Sequence, residues 1–196
     1  MGIIKAADAF LEEQGLDPSG KYAMFVLRPW KDELQWLDDV CASAEYMWNT
    51  FGLTPVFCSF EPNRDNAINA MAAQKLERKG VPCEMLSAVD DGAVLCGIIA
   101  RMELVVSMRL HALIFACSQQ KRIVGISYDP KVSGFMDYLG SDNCVRLEEL
   151  TKEALCGKID RALTETDLSG NLAHLKDLAA ENGRLAGKLL RGQTIE

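Results

Sequence analysis

The 196-residue chain reads as an α/β protein, with a mostly parallel sheet and helices on both faces. Three observations predict this. Short apolar runs alternate with stretches of helical periodicity along nearly the whole chain. The stretch Glu103–Tyr128, ELVVSMRLHALIFACSQQKRIVGISY, is a complete strand–helix–strand unit, whose natural product is two parallel strands and a covering helix. Arginine, histidine and lysine recur just after strands and just before helices, on the edge where open α/β sheets bind ligands.

The elements follow in order. Residues 3–14 form an amphipathic helix with Ile3, Ile4, Ala7, Phe10 and Leu11 on one face, stopped at Gly15. Lys21–Leu27 is a strand that ends before Pro29, which cannot extend a central ladder. A helix over Asp32–Phe51 buries Leu34, Leu37, Val40, Cys41, Ala44, Met47 and Trp48, and Gly52 closes it. Thr54–Phe60 is the second strand. A polar loop, Glu61–Asp65, leads into a helix over Asn66–Lys79, for which Asp65 is a candidate cap. Val81–Leu86 and Gly92–Arg101 make the next strand and helix. Glu103–Val106 is a strand, Ser107 a candidate N-cap, and Leu110, Leu113, Ile114 and Cys117 the buried stripe of the helix after it. Arg122–Ser127, a short helix through Leu139, Cys144–Leu147 and a helix over Glu148–Leu163 follow, and a charged helix over Leu168–Leu190 ends the chain. No repeat, low-complexity segment or interior linker interrupts this order, so residues 1–196 are expected to be a single Rossmann-like domain.

Composition narrows the function. Asp plus Glu is 28 against 21 Lys plus Arg, a net charge of -7, which argues against a nucleic-acid footprint. No apolar run approaches the roughly 18 residues of a membrane span, and the acidic N-terminal stretch lacks a signal-peptide core. A cytoplasmic protein without a transmembrane segment is expected. The seven cysteines are odd in number, form no C-x-x-C pair and sit mostly in apolar runs, so buried free thiols are expected. No metal-ligand cluster and no cofactor motif stands out.

Four loops should share the carboxyl rim of the sheet. They bring Arg28 and Trp30; Glu61, Arg64 and Asp65; Ser107, Arg109 and His111; and Tyr128, Asp129 and Lys131. Arginine forks match phosphate and carboxylate oxygens, and a histidine beside them can move a proton near neutral pH. The set suits a small polyanion, bound where a helix N-terminus offers free N–H groups. Each residue also has a plainer reading. Arg109 can pair with an acidic residue of a neighbouring loop, and His111 can be a buried histidine bonded to backbone. Lys131 can be a surface turn residue and Trp30 a packing residue, while His174 falls on a solvated helix face. Walker, G-x-G-x-x-G, H-E-x-x-H and G-x-S-x-G motifs are absent from the sequence.

The block Ser107-Met108-Arg109-Leu110-His111-Ala112, followed by Tyr128-Asp129-Pro130-Lys131, resembles the polysaccharide pyruvyl transferase family, in particular its CsaB-type bacterial members. The Leu27–Lys31 segment and the Glu61–Asp65 loop resemble other family segments less specifically. The resemblance covers essentially the whole chain but only the C-terminal half of a family member. It implies one Rossmann-like domain of a GT-B-like enzyme, with a preceding N-terminal domain as partner across a cleft. It implies transfer of pyruvate from phosphoenolpyruvate to sugar hydroxyls, as a ketal on a cell-envelope polysaccharide. Phosphoenolpyruvate and a glycan acceptor are then the substrates, and no metal or other cofactor is required. On this reading Arg109 and His111 carry catalysis, and Arg28, Ser107, Arg109, Lys131 and Arg64 bind substrate. Two other readings use the same rim: a sugar-nucleotide-binding domain, for which no ribose-gripping acid is evident, and a non-catalytic interaction module.

Overall fold

The computed structural model describes residues 2–31 and 34–164, and scattered positions between 177 and 191. His174 and most of the helix expected over Leu168–Leu190 lie outside the described residues, as do Asp32 and Glu33 at the expected start of the second helix. The elements are α1 (Ile3–Glu13), β1 (Tyr22–Val26), α2 (Gln35–Phe51), β2 (Thr54–Phe57), α3 (Pro62–Glu77), β3 (Glu84–Met85) and α4 (Gly92–Ile99). Then come β4 (Leu104–Ser107), α5 (Leu110–Ser118), β5 (Arg122–Ser127), α6 (Pro130–Tyr138), β6 (Cys144–Arg146) and α7 (Lys152–Thr164).

Six strands form one sheet in the order β3-β2-β1-β4-β5-β6, and every pairing is parallel. The predicted fold class holds. The order gives it a functional address: connections leave β1 toward β2 and β3, then jump to β4 and run the other way. The carboxyl ends of β1 and β4 therefore flank a topological switch point.

Burial on both faces explains the near-continuous apolar strands. Ala23, Phe25, Leu104, Val106, Val124 and Ile126 face one core with α2, α3 and α7. Met24, Val26, Val105 and Ile123 face a second core with α1, α4, α5 and α6. Gly125 takes its place on that second face because space there is short. A Cβ would come within 3.1 Å of Val132 Cγ1 and 3.2 Å of Cys144 Sγ, so the glycine lets α6 lie close on β5.

Several boundaries differ from expectation for identifiable reasons. β3 keeps two residues of the expected Val81–Leu86. Gly80 is left-handed, at φ 73°, and the Val81 N–H closes the end of α3 on the Leu76 carbonyl at 3.1 Å; Pro82 has no N–H to give a ladder. α3 starts four residues early, with Pro62 in its first turn, where a fixed φ suits a helix and the missing N–H costs nothing. Ser107 is the last residue of β4 and not the helix N-cap, which is Arg109. Ser107 pairs in register with Val26 on one side and Gly125 on the other, so it stays extended. The expected helix over Glu148–Leu163 divides into a 3-10 turn at Leu147–Glu149 and α7.

Candidate active site

The residues singled out in the sequence converge on the carboxyl rim but do different work there. Ser107 is fully buried. Its hydroxyl accepts from the Arg109 N–H at 2.8 Å and donates to the Arg109 carbonyl at 2.9 Å, so it shapes the turn from β4 into α5 and presents nothing outward. Ser127, at the same place on β5, donates to the Asp129 carbonyl at 2.9 Å. The same serine device thus sets both neighbouring strand-to-helix turns.

Arg109 is expected from sequence as an open clamp, with pairing to a neighbouring acid as its plainer reading. The structure closes its fork on acids. Nε and Nη2 reach the two oxygens of Asp65 at 3.0 and 2.5 Å, and Nη1 donates to Glu61 Oε1 at 2.5 Å. Asp65 is 0 % exposed and the Arg109 side chain 10 %. A carboxylate sealed from water requires a charged, hydrogen-bonded partner. Burial works against the Arg109 charge, but its hydrogen bonds to Asp65 and Glu61 outweigh it and hold its pKa above the ordinary arginine value. Asp65 also accepts the Glu61 N–H at 3.0 Å; it lies inside the first turn of α3 and is not the helix N-cap expected from sequence, which is Glu61. The pair fastens the start of α3 to the turn before α5. Buried Asn69 adds a second tie. Its side chain bonds both polar groups of Leu27 at 3.3 Å and the Ser59 hydroxyl at 3.1 Å, where β1 has run out of ladder partners.

Glu61 lies half-exposed between two arginines, with Arg64 Nη1 3.3 Å from its other oxygen. The hydrogen bond from Arg109, and then the charges around it, hold its carboxyl below the usual glutamate range. Arg28 turns to the other side of the switch point. Its Nη1 donates to the Tyr128 hydroxyl at 2.6 Å, its guanidinium carbon lies 5.0 Å from the Tyr128 ring centre, and its Nε has no partner.

His111 and Lys131 face solvent, and the Lys131 ammonium stands 3.9 Å from Asp129 Oδ2. Both are exposed, and each is the second residue of its helix, α5 or α6. Strands β4 and β5 are neighbours and the two helices pack against each other, so their N-termini stand side by side on the rim. Neither helix has an acidic residue in its first turn. At the α5 start no side chain caps the helix, so an anion there is favoured by the dipole and the free N–H groups, whereas at α6 the Asp129 carboxylate already accepts the Lys131 N–H at 2.7 Å.

Beside α6 a cleft of about 270 Å³ opens among Trp30, Trp36, Tyr128, Asp129, Arg146 and Glu148. The sequence reading passed over Trp36, Arg146 and Glu148. The one available signal is that two of the three tryptophans, Trp30 and Trp36, fall in one seven-residue span soon after the first strand. Among the described residues no group of three or more His, Cys, Asp or Glu could hold a metal ion, and no helix is long and apolar enough to cross a membrane.

Fold and rim define the class: a parallel-sheet domain whose ligand edge lies at a topological switch point. Its relatives make the assignment specific. The family model for polysaccharide pyruvyl transferase matches residues 4–130, and the chain belongs to that family. A search of curated proteins finds no match. Among solved structures, UDP-GlcNAc 2-epimerase from Methanocaldococcus jannaschii superposes with a TM-score of 0.61 at 10% identity, over 90% of this chain and 50% of that one. ADP-heptose lps heptosyltransferase II of E. coli gives 0.60 at 12% identity, over 81% and 51%. The C-terminal domain of a glycosyl transferase group 1 family protein (LpcC) from Francisella tularensis gives 0.56 at 12% identity, over 85% and 87%. The likeness is one of fold, that of a GT-B-like half, and the chain spans about half the length of the first two.

Proposed function

We propose that this chain is the phosphoenolpyruvate-binding half of a transferase that builds a pyruvate ketal on the hydroxyls of a cell-envelope glycan. The observation that carries the reading is the pair of adjacent helix N-termini with the exposed side chains of His111 and Lys131 in their first turns, in a chain of this family. The phosphate sits over the uncapped start of α5, with Lys131 of the neighbouring α6 as its counter-charge. Arg64, in the first turn of α3, and Arg28, just past β1, are the cations assigned to the carboxylate. Arg109 and Ser107 act from beneath, fixing the turn that presents His111.

The chemistry needs two proton movements. The methylene carbon of phosphoenolpyruvate takes a proton while a sugar hydroxyl adds to the neighbouring carbon. Phosphate then leaves with its electron pair, and a second hydroxyl closes the ketal. One hydroxyl proton balances the new C–H bond, and the other departs with phosphate. His111, exposed at the seat, is the group proposed to move one of these protons. The scheme calls for no metal or other cofactor. The glycan acceptor, a preceding N-terminal domain and a cytoplasmic location complete the proposal.

The test is titration of the chain with phosphoenolpyruvate, inorganic phosphate and a UDP-sugar. Lys131→Ala should weaken phosphoenolpyruvate by roughly 10- to 150-fold, the range of a hydrogen bond to a charged group. In the complete enzyme His111→Ala should lower turnover by roughly 100- to 10,000-fold and disturb affinity less. Affinity that ignores both substitutions would refute the site. Tighter binding of the UDP-sugar than of phosphoenolpyruvate would favour a sugar-nucleotide domain.

A further inference from the structure

The cleft beside α6 is unused by the phosphoenolpyruvate seat. We infer that it holds one neutral pyranose ring of the acceptor, with Trp30 and Tyr128 as its stacking wall. The inference rests on the transferase reading above and places part of the acceptor site on this half of the enzyme.

Size comes first. At about 270 Å³ the cleft falls just below the roughly 300 Å³ where drug-sized pockets begin, so its occupant is a single ring rather than a chain. The lining carries no surplus of positive charge to draw a second anion. Asp129 and Glu148 stand in the wall against Lys31 and Arg146, and Arg146 is already paired with Glu149. Carboxylates repel phosphate but accept hydrogen bonds from hydroxyls. A sugar ring offers many hydroxyls and an apolar C–H face, and that face suits the negative face of an aromatic ring.

The wall is held in place before any ligand arrives. Trp30 and Tyr128 pack with ring centres 4.5 Å apart at 44°, and Arg28 holds the Tyr128 hydroxyl. A rigid aromatic wall loses little freedom on binding. The cleft also borders the right neighbour, because the lining residues Asp129 and Pro130 lead directly into Lys131. A sugar seated here lies along the α6 start, where its hydroxyls can meet the reacting carbon. The sequence assigns Trp30 to packing, and the ring does pack against the core; its remaining surface lines the cleft.

Tryptophan fluorescence suits the test, since Trp30 and Trp36 line the cleft and Trp48 does not. Methyl glycosides of glucose, galactose, mannose and their N-acetylamino forms serve as probes, with uridine as a planar control. At least one glycoside should shift the emission, and saturation-transfer NMR should show its ring C–H protons contacting the protein. Trp48→Phe should keep the response. Trp30→Ala should weaken it by about tenfold, and Ser133→Trp, which fills the cleft from the α6 side instead of emptying it, should abolish it. Both variants should bind phosphoenolpyruvate as the parent does. A full glycoside response in Trp30→Ala or Ser133→Trp, a response to uridine alone, or none to any glycoside overturns the inference. A glycoside response that follows this pattern in a chain that fails to bind phosphoenolpyruvate sustains the sugar seat and removes the transferase reading instead.

Discussion

Asp65→Ala is the most informative perturbation of the rim, because it separates holding the site from doing its chemistry. In the parent, Asp65 is fully enclosed and meets two nitrogens of Arg109, whose third nitrogen reaches Glu61. Removing one partner of a buried pair costs about 3–5 kcal/mol, because the other charge stays buried and uncompensated. Here Glu61 survives as a half-exposed partner, which places the expected loss near the lower end, about 3 kcal/mol. For a chain of this size that is roughly 6–12 °C in melting temperature, and a large share of a typical stability of about 5–15 kcal/mol. Arg109→Met should cost at least as much, because it leaves a fully enclosed carboxylate with the Glu61 N–H. The double variant Asp65→Ala/Arg109→Met removes both charges and should be less destabilised than the sum of the two singles by more than about 1 kcal/mol. Urea unfolding of the four proteins, followed by circular dichroism, measures the cycle. A loss below about 1 kcal/mol in Asp65→Ala, or additivity within about 0.5 kcal/mol, would refute the view that this pair fastens α3 to the α5 turn.

Two further outcomes follow from the charges and thiols. Glu61 has its carboxyl held below the ordinary 4.5 by Arg109, so the ionised form favours the folded state; that stability is present above pH 4.5 and lost as pH falls through the lowered value. Glu61→Gln should therefore lose less stability than the parent between about pH 5 and pH 3, and equal slopes in acid unfolding would dismiss the contact. Burial pushes the Cys41, Cys58 and Cys117 thiols up to about 12, so at pH 8 these three should resist a thiol-reactive dye in the native protein and react only on unfolding; immediate labelling of any of them, located by mass spectrometry, would show that its site opens.

What the sequence determined by itself is the local grammar. Apolar runs of β-branched residues, helical stripes such as Leu37, Val40, Cys41, Ala44 and Met47, and stops such as Gly52 depend on neighbours within a turn or two, so the alternation of strands and helices can be read from spacing; the stripe expected in α5 fails at Ile114, which is exposed. Alternation in turn places Arg28, Arg109, His111 and Lys131 on one edge of a parallel sheet, because every strand points the same way. Tertiary structure decided the rest. Asp65 and Arg109 are 44 positions apart and Arg28 and Tyr128 100 apart. No local pattern says which acid will be sealed from water, and therefore which arginine must be spent on it instead of on a ligand. The same holds for the cleft, whose walls come from the segments around Trp30, Tyr128 and Arg146. They become one site only because the β1 loop and the ends of β5 and β6 open on the same rim once the sheet takes the order β3-β2-β1-β4-β5-β6, an order fixed by the packing of two helical layers and not by any single stretch of chain.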